Sequence, residues 1–109
     1  MNWKNLDNID ELNVIIKDSY NKPQLIFKHS TRCIISKMAL RNFEGDFDFE
    51  GKAETYYLDL IAFRNVSDKV SDIFNIVHES PQIILIKDGK AVYDESHEGI
   101  SAAEIQKVL

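Results

Sequence analysis

One cysteine, three histidines and scattered hydroxyls are the groups this 109-residue chain offers for covalent or metal chemistry. The cysteine, Cys33, follows the apolar run Leu25-Ile26-Phe27 and precedes a segment of helical spacing, so it stands where a strand gives way to a helix. A helix N-terminus leaves backbone N–H groups unpaired and carries the positive end of the helix dipole, and both favour a thiolate over a thiol. A cysteine there is a candidate nucleophile, whereas one in mid-strand is a small buried hydrophobe. With a single cysteine, any disulfide chemistry must be intermolecular, with a small thiol or another protein. The four residues Cys33-Ile34-Ile35-Ser36 have the spacing of a Cys-x-x-Cys redox loop with serine in second place. Serine cannot resolve a disulfide, so a second thiol molecule would have to finish the cycle. The Ser36 hydroxyl has two candidate roles, bonding backbone within the helix or donating to the Cys33 thiolate.

Arg32 is either a solvated charge or a cation that favours the neighbouring thiolate and attracts carboxylates. Arg64, after the second long strand, is a candidate for the same pocket. A Cys-x5-Arg phosphatase or arsenate-reductase loop is excluded, because Ala39 occupies the arginine position. His29, His78 and His97 are scattered without metal-ligand spacing relative to Cys33, so no metal site is expected. His78 is expected at a helix C-terminus, where a cation is favoured.

The elements that must position these groups are read from spacing. Ile9, Leu12, Ile16 and Tyr20 predict a first helix, which Asn21-Lys22-Pro23 stops. Gln24 to Lys28 reads as a short strand buried on both faces. Ser30 and Thr31 are possible caps of the next helix, whose apolar side carries Ile35, Met38, Ala39, Leu40 and Phe43. Glu44 to Glu50 reads as a helix end and a solvated acidic loop. Thr55 to Leu60 is rich in strand formers, and Val66, Val70, Ile73, Phe74 and Val77 predict a third helix over much of 66–78. Ile83 to Ile86 and Ala91 to Tyr93 flank Asp88-Gly89, a strong hairpin signal. Ser101-Ala102-Ala103-Glu104 is a capping box opening a last helix that buries Ile105, Val108 and Leu109. Residues around Trp3 are expected to add a short edge strand.

Strands separated by helices run parallel through crossovers, and the Asp-Gly hairpin makes the last pair antiparallel. A mixed sheet with helices on both faces and a cysteine after its central strand describes an α/β, thioredoxin-like fold, here a single domain over 1–109. The composition, 44% hydrophobic and 28% charged, is that of a globular chain. A net charge of −5 with no Lys/Arg cluster argues against a nucleic-acid or anionic-membrane partner. Met1-Asn2-Trp3-Lys4-Asn5 lacks the apolar core of a secretion signal, and a cytoplasmic protein is expected.

Three segments, Ser30-Thr31-Arg32-Cys33-Ile34-Ile35-Ser36, His78-Glu79-Ser80-Pro81-Gln82 and Ser96-His97, resemble the monothiol bacilliredoxins of the YtxJ type. These are thioredoxin-like proteins of bacteria that use bacillithiol in place of glutathione. The resemblance runs over essentially the whole chain. It implies a central mixed sheet of four or five strands flanked by helices, and a monothiol thiol–disulfide oxidoreductase that removes bacillithiol from S-bacillithiolated proteins. It implies Cys33 as the catalytic nucleophile, with Thr31, Arg32, Ser36, Arg64, Ser80 and Pro81 binding or stabilising the thiolate, and a cis bond before Pro81. No bound cofactor or metal is implied; bacillithiol is a co-substrate, and S-thiolated client proteins are the partners. One position departs: Ile34 stands where the family reads proline, a residue with a preset φ and no donor to waste at a helix start. Two other readings compete, a redox-inactive thioredoxin-fold binding module and an iron–sulfur carrier like the monothiol glutaredoxins. The second lacks the Cys-Gly-Phe-Ser loop of that group.

Overall fold

A computed structural model describes all residues, Met1–Leu109. Its elements, in chain order, are β1 (Lys4–Asn5), α1 (Ile9–Asp18), β2 (Gln24–His29), α2 (Ile34–Asp46), β3 (Glu54–Asp59), α3 (Arg64–Phe74), β4 (Gln82–Lys87), β5 (Lys90–Ser96), a 3₁₀ turn His97–Gly99, and α4 (Ala102–Val108). The five strands form one sheet in the order β1-β3-β2-β4-β5. β1 and β2 run parallel to β3, while β4 is antiparallel to both β2 and β5. The sheet is mixed as expected, with β2 at its centre and every β2 residue buried, but the rule that helix-separated strands run parallel fails at α3, which returns the chain as a β4 antiparallel to β2.

Alternation along the strands divides the core into two layers. Ile26, Tyr56, Leu58, Ile84 and Ile86 pack against α1 and α3 through Leu12, Ile15, Val66, Val70 and Phe74. On the other face Leu25, Phe27, Ile83 and Leu85 pack against α2 and α4 through Phe43, Ala102 and Ile105, joined by Phe49. The hairpin turn has Asp88 and Gly89 at φ 53° and 76°, the two left-handed positions that an Asp-Gly pair supplies.

Several boundaries differ from the sequence reading. α1 ends at Asp18, so its buried stripe is Leu12 and Ile15, and Ile9 and Tyr20 are exposed. α2 turns Ser36 and Phe43 to the sheet, which leaves Ile35 and Met38, expected in the core, exposed. The 44–50 segment is not wholly solvated: Phe49 is buried and stacks on Phe47 at 3.9 Å between ring centroids. α3 stops four residues earlier than expected, because Asn75 adopts the left-handed conformation (φ 55°, ψ 50°) that ends helices. In α4, Ile105 is buried but Val108 is exposed.

Candidate functional site

Cys33 occupies the N-cap of α2, in extended conformation (φ −106°, ψ 121°), and is half-buried. The turn that delivers it is closed by the Cys33 N–H donating to the Ser30 carbonyl (3.1 Å). Neither Ser30 nor Thr31 caps the helix as expected, since both lie upstream of the N-cap, and no side chain bonds the first-turn amides. Those N–H groups point toward the sulfur end of the helix, and no carboxylate in the first turn opposes the dipole. Ile34 is the first helical residue, so the helix forms without the family's proline, and its side chain is 73% exposed. A half-buried cysteine at a dipole-positive helix end is placed for nucleophilic attack on a disulfide.

Ser36 is fully buried. Its Oγ accepts from the Ser30 N–H (3.1 Å) and pairs with His29 Nδ1 (2.7 Å). Of its two candidate roles, these bonds are the bonding one, since they tie the end of β2 to the first turn of α2. Burial lowers His29 below the usual histidine range, chiefly by desolvation, so it is held neutral. Thr31 and Arg32 are exposed on the turn beside Cys33.

The second arm of the site comes from β4. The antiparallel register sets Gln82 opposite Lys28, which puts Ser80 and Pro81 at the end of the sheet where β2 hands over to Cys33. The Ser80–Pro81 bond is cis; Pro81 is buried and Ser80 half-buried. The Pro81 carbonyl accepts from the His97 N–H (3.1 Å), and His97 Nε2 lies 3.1 Å from Glu79 Oε2. A groove of about 380 Å³ follows from Ile35, Met38 and Asn42 of α2 to His97, Glu98 and Ile100. A polar cavity around Asn2, Lys22 and Glu54 lies at the opposite end of the strands.

Arg64 opens α3 in the other helical layer, exposed, and its charge is felt at His78. His78 does not cap a helix as a cation. It lies in the loop after α3, and desolvation, then Lys28, then Arg64, hold it below the usual histidine range. The sequence reading gives Lys28 no site role and weighs His29 only as a metal ligand. The signal for Lys28 was present: a charged residue inside a strand buried on both faces must find partners.

Comparisons with known proteins agree with this arrangement. The sequence model of the family described as monothiol bacilliredoxin BrxC matches residues 4–105. A solved structure described as having a thioredoxin fold and proposed to be an oxidoreductase is 31% identical, with a TM-score of 0.82 over 94% of this chain and 89% of that one. Mitochondrial thioredoxin 3 of Saccharomyces cerevisiae superposes at 0.75 with 18% identity, covering 97% and 92% of the two chains. Thioredoxin of Fasciola hepatica does so at 0.75 with 17% identity over 96% and 94%. The last two show the fold alone, and the fold is thioredoxin-like.

Proposed function

The chain belongs to the monothiol bacilliredoxin family, and from that premise we propose that it removes bacillithiol from S-bacillithiolated proteins. A thiol redox role is supported by the family and by the related oxidoreductase-like structure. The observation that carries the finer reading is the lone, half-buried Cys33 at the N-cap of α2, with no second thiol to resolve an adduct.

In the proposed reaction the Cys33 thiolate attacks the bacillithiol sulfur of the mixed disulfide. A new S–S bond forms to Cys33 as the old one breaks, and the client leaves as a thiolate that takes a proton from water. The thiolate of a free bacillithiol then attacks the adduct, releasing bacillithiol disulfide and restoring Cys33. Reduction of that disulfide falls to another reductant. The first-turn amides stabilise the Cys33 thiolate as the nucleophile of the first step and as the leaving group of the second. Arg32 and Thr31 face the incoming adduct, Arg32 toward the malate carboxylates of bacillithiol, with Arg64 as a more distant charge. Ser80 and Pro81 border the client, and Ser36 fixes the turn.

The test is to incubate the protein with a model protein thiolated by bacillithiol, glutathione or coenzyme A and follow transfer by intact mass. Transfer of bacillithiol to Cys33, abolished in Cys33→Ser, is the expected result. A Cys33→Ser protein that still binds the thiolated client, beside a wild type that takes up no adduct, would leave the binding-module reading in its place.

A further inference from the structure

Lys28 is the one lysine, arginine, aspartate or glutamate among the buried residues. It sits on the central strand β2, near the end that leads to Cys33, with no exposed surface, and burial lowers it from 10.5 to about 8. Its Nζ donates all three of its hydrogens: to the Ser67 carbonyl (3.2 Å), to Ser71 Oγ (3.1 Å) and to His78 Nδ1 (3.3 Å). The first two acceptors belong to α3, and the third to the loop that leads into Pro81. An apolar side chain of similar length would fill this position without burying a charge, so the ammonium calls for a reason beyond packing.

Its cross-strand partner supplies one. Lys28 and Gln82 stand opposite each other on β2 and β4, and cross-strand partners project to the same face. Gln82 is also buried, and its amide nitrogen donates to the Val77 carbonyl (3.0 Å) while its amide oxygen accepts from the Glu79 N–H (3.4 Å). Two adjacent buried polar side chains thus hold Val77, His78 and Glu79, three consecutive residues that end one position before Ser80. Ser67 Oγ adds a contact to His78 Nδ1 at 3.4 Å. His78 closes over Lys28 with its Nδ1 edge inward while much of the residue stays exposed.

We propose that Lys28 and Gln82 form a platform that positions the loop before Pro81, and that His78 is its positioning residue, engaged only while Nδ1 carries no proton. This rests on the proposed function for its kinetic meaning: the loop borders the thiolated client, so the platform sets client affinity and leaves the intrinsic reactivity of Cys33 alone. The groups facing His78 are Lys28 from β2, Arg64 and Asp68 from α3, and Glu79 from its own loop; Asp68 also faces Lys28. A proton on Nδ1 would set an imidazolium against the ammonium, and neither Asp68 nor Glu79 makes a hydrogen bond that could hold the ring in place. Acid therefore releases the loop.

The experiment measures removal of bacillithiol from a thiolated model protein between pH 5.5 and 8, beside alkylation of Cys33 by iodoacetamide. His78→Leu removes the acceptor; His78→Asn keeps an acceptor near the Nδ1 position and cannot titrate in this range. Loss of one hydrogen bond to a charged donor predicts a KM about tenfold higher for His78→Leu, with kcat and alkylation changed by less than about twofold. The wild-type KM rises as acid protonates His78, below the usual histidine range, and that of His78→Asn stays level. An unchanged KM in His78→Leu, a parallel loss of alkylation, or the same acid rise in His78→Asn overturns the proposal. Nitrogen-15 spectra of the wild-type imidazole give a readout independent of turnover. They are expected to show the Nε2–H tautomer at neutral pH, relaxing in Lys28→Met. Should no bacillithiol be removed at all, the proposed function falls and the spectra decide the platform: an Nδ1–H tautomer in the wild type refutes it.

Discussion

Replacing Lys28 by methionine tests the energetics of the buried ammonium directly. Lys28 is lowered from 10.5 to about 8 by desolvation, which the charge of Asp68 only partly opposes. Each pH unit of that gap corresponds to about 1.4 kcal/mol, so carrying the proton costs the folded state about 3.5 kcal/mol below pH 8. Above about pH 8 the folded chain has released this proton while the unfolded chain holds it up to about 10.5. Unfolded chains then bind more protons, and wild-type stability gains from this group as pH rises through that window. The variant lacks the term. It also deprives the Ser67 carbonyl, Ser71 Oγ and His78 Nδ1 of a donor, at about 1 kcal/mol each. These losses nearly offset the gain near pH 7, so the two proteins should differ there by no more than about 1 kcal/mol. The slope is the decisive quantity. Tyr56, Tyr57 and Tyr93, all raised chiefly by burial, act alike in both proteins and cancel in the difference. Urea denaturation at pH 7, 8, 9 and 10 should show wild type minus variant rising by about 2–3 kcal/mol, nearly all of it above pH 8. A difference that stays flat with pH would refute the premise that the ammonium is desolvated.

Further outcomes follow from the turn at Cys33 and from the histidines. Ile34→Pro should raise stability by about 0.5–1 kcal/mol in denaturant melts, because the position is the first of α2 and Cys33 already has the extended dihedrals that a residue before proline requires; a loss of stability would contradict that geometry. Ser36→Ala leaves the Ser30 N–H and His29 without their buried partner and should lower stability by about 2 kcal/mol, or about 10 °C in Tm. A change under about 0.5 kcal/mol would show that the hydroxyl does not tie the turn. His29 and His78 are both held below the usual histidine value, so their share of stability is complete above about pH 6.5 and is lost as pH falls through the lowered folded values. Thermal melts between pH 7 and 5 should show the fall, and a Tm that rises on acidification would reverse the sign.

The sequence alone determined the order of elements, the Asp88-Gly89 hairpin, the Ser101 cap and the place of Cys33 at a strand-to-helix junction. These are local: short-range periodicity, turn chemistry and capping are written within a few residues of where they act. The α3 end was missed because Val77 continued the apolar spacing past Asn75, and only the backbone shows that Asn75 turns left-handed. The exposure of Ile35 and Met38 was missed because helical spacing marks an apolar face without saying how much of it the sheet covers. The partners of the buried polar groups were invisible for another reason. Lys28 meets Ser67, Ser71 and His78 across separations of 39, 43 and 50 residues, and Ser36 meets His29 only once the turn closes. A charged side chain within an apolar strand announces that partners must exist; which residues they are depends on the register of β2 with β4 and on the layer in which α3 packs, and tertiary structure alone decides both.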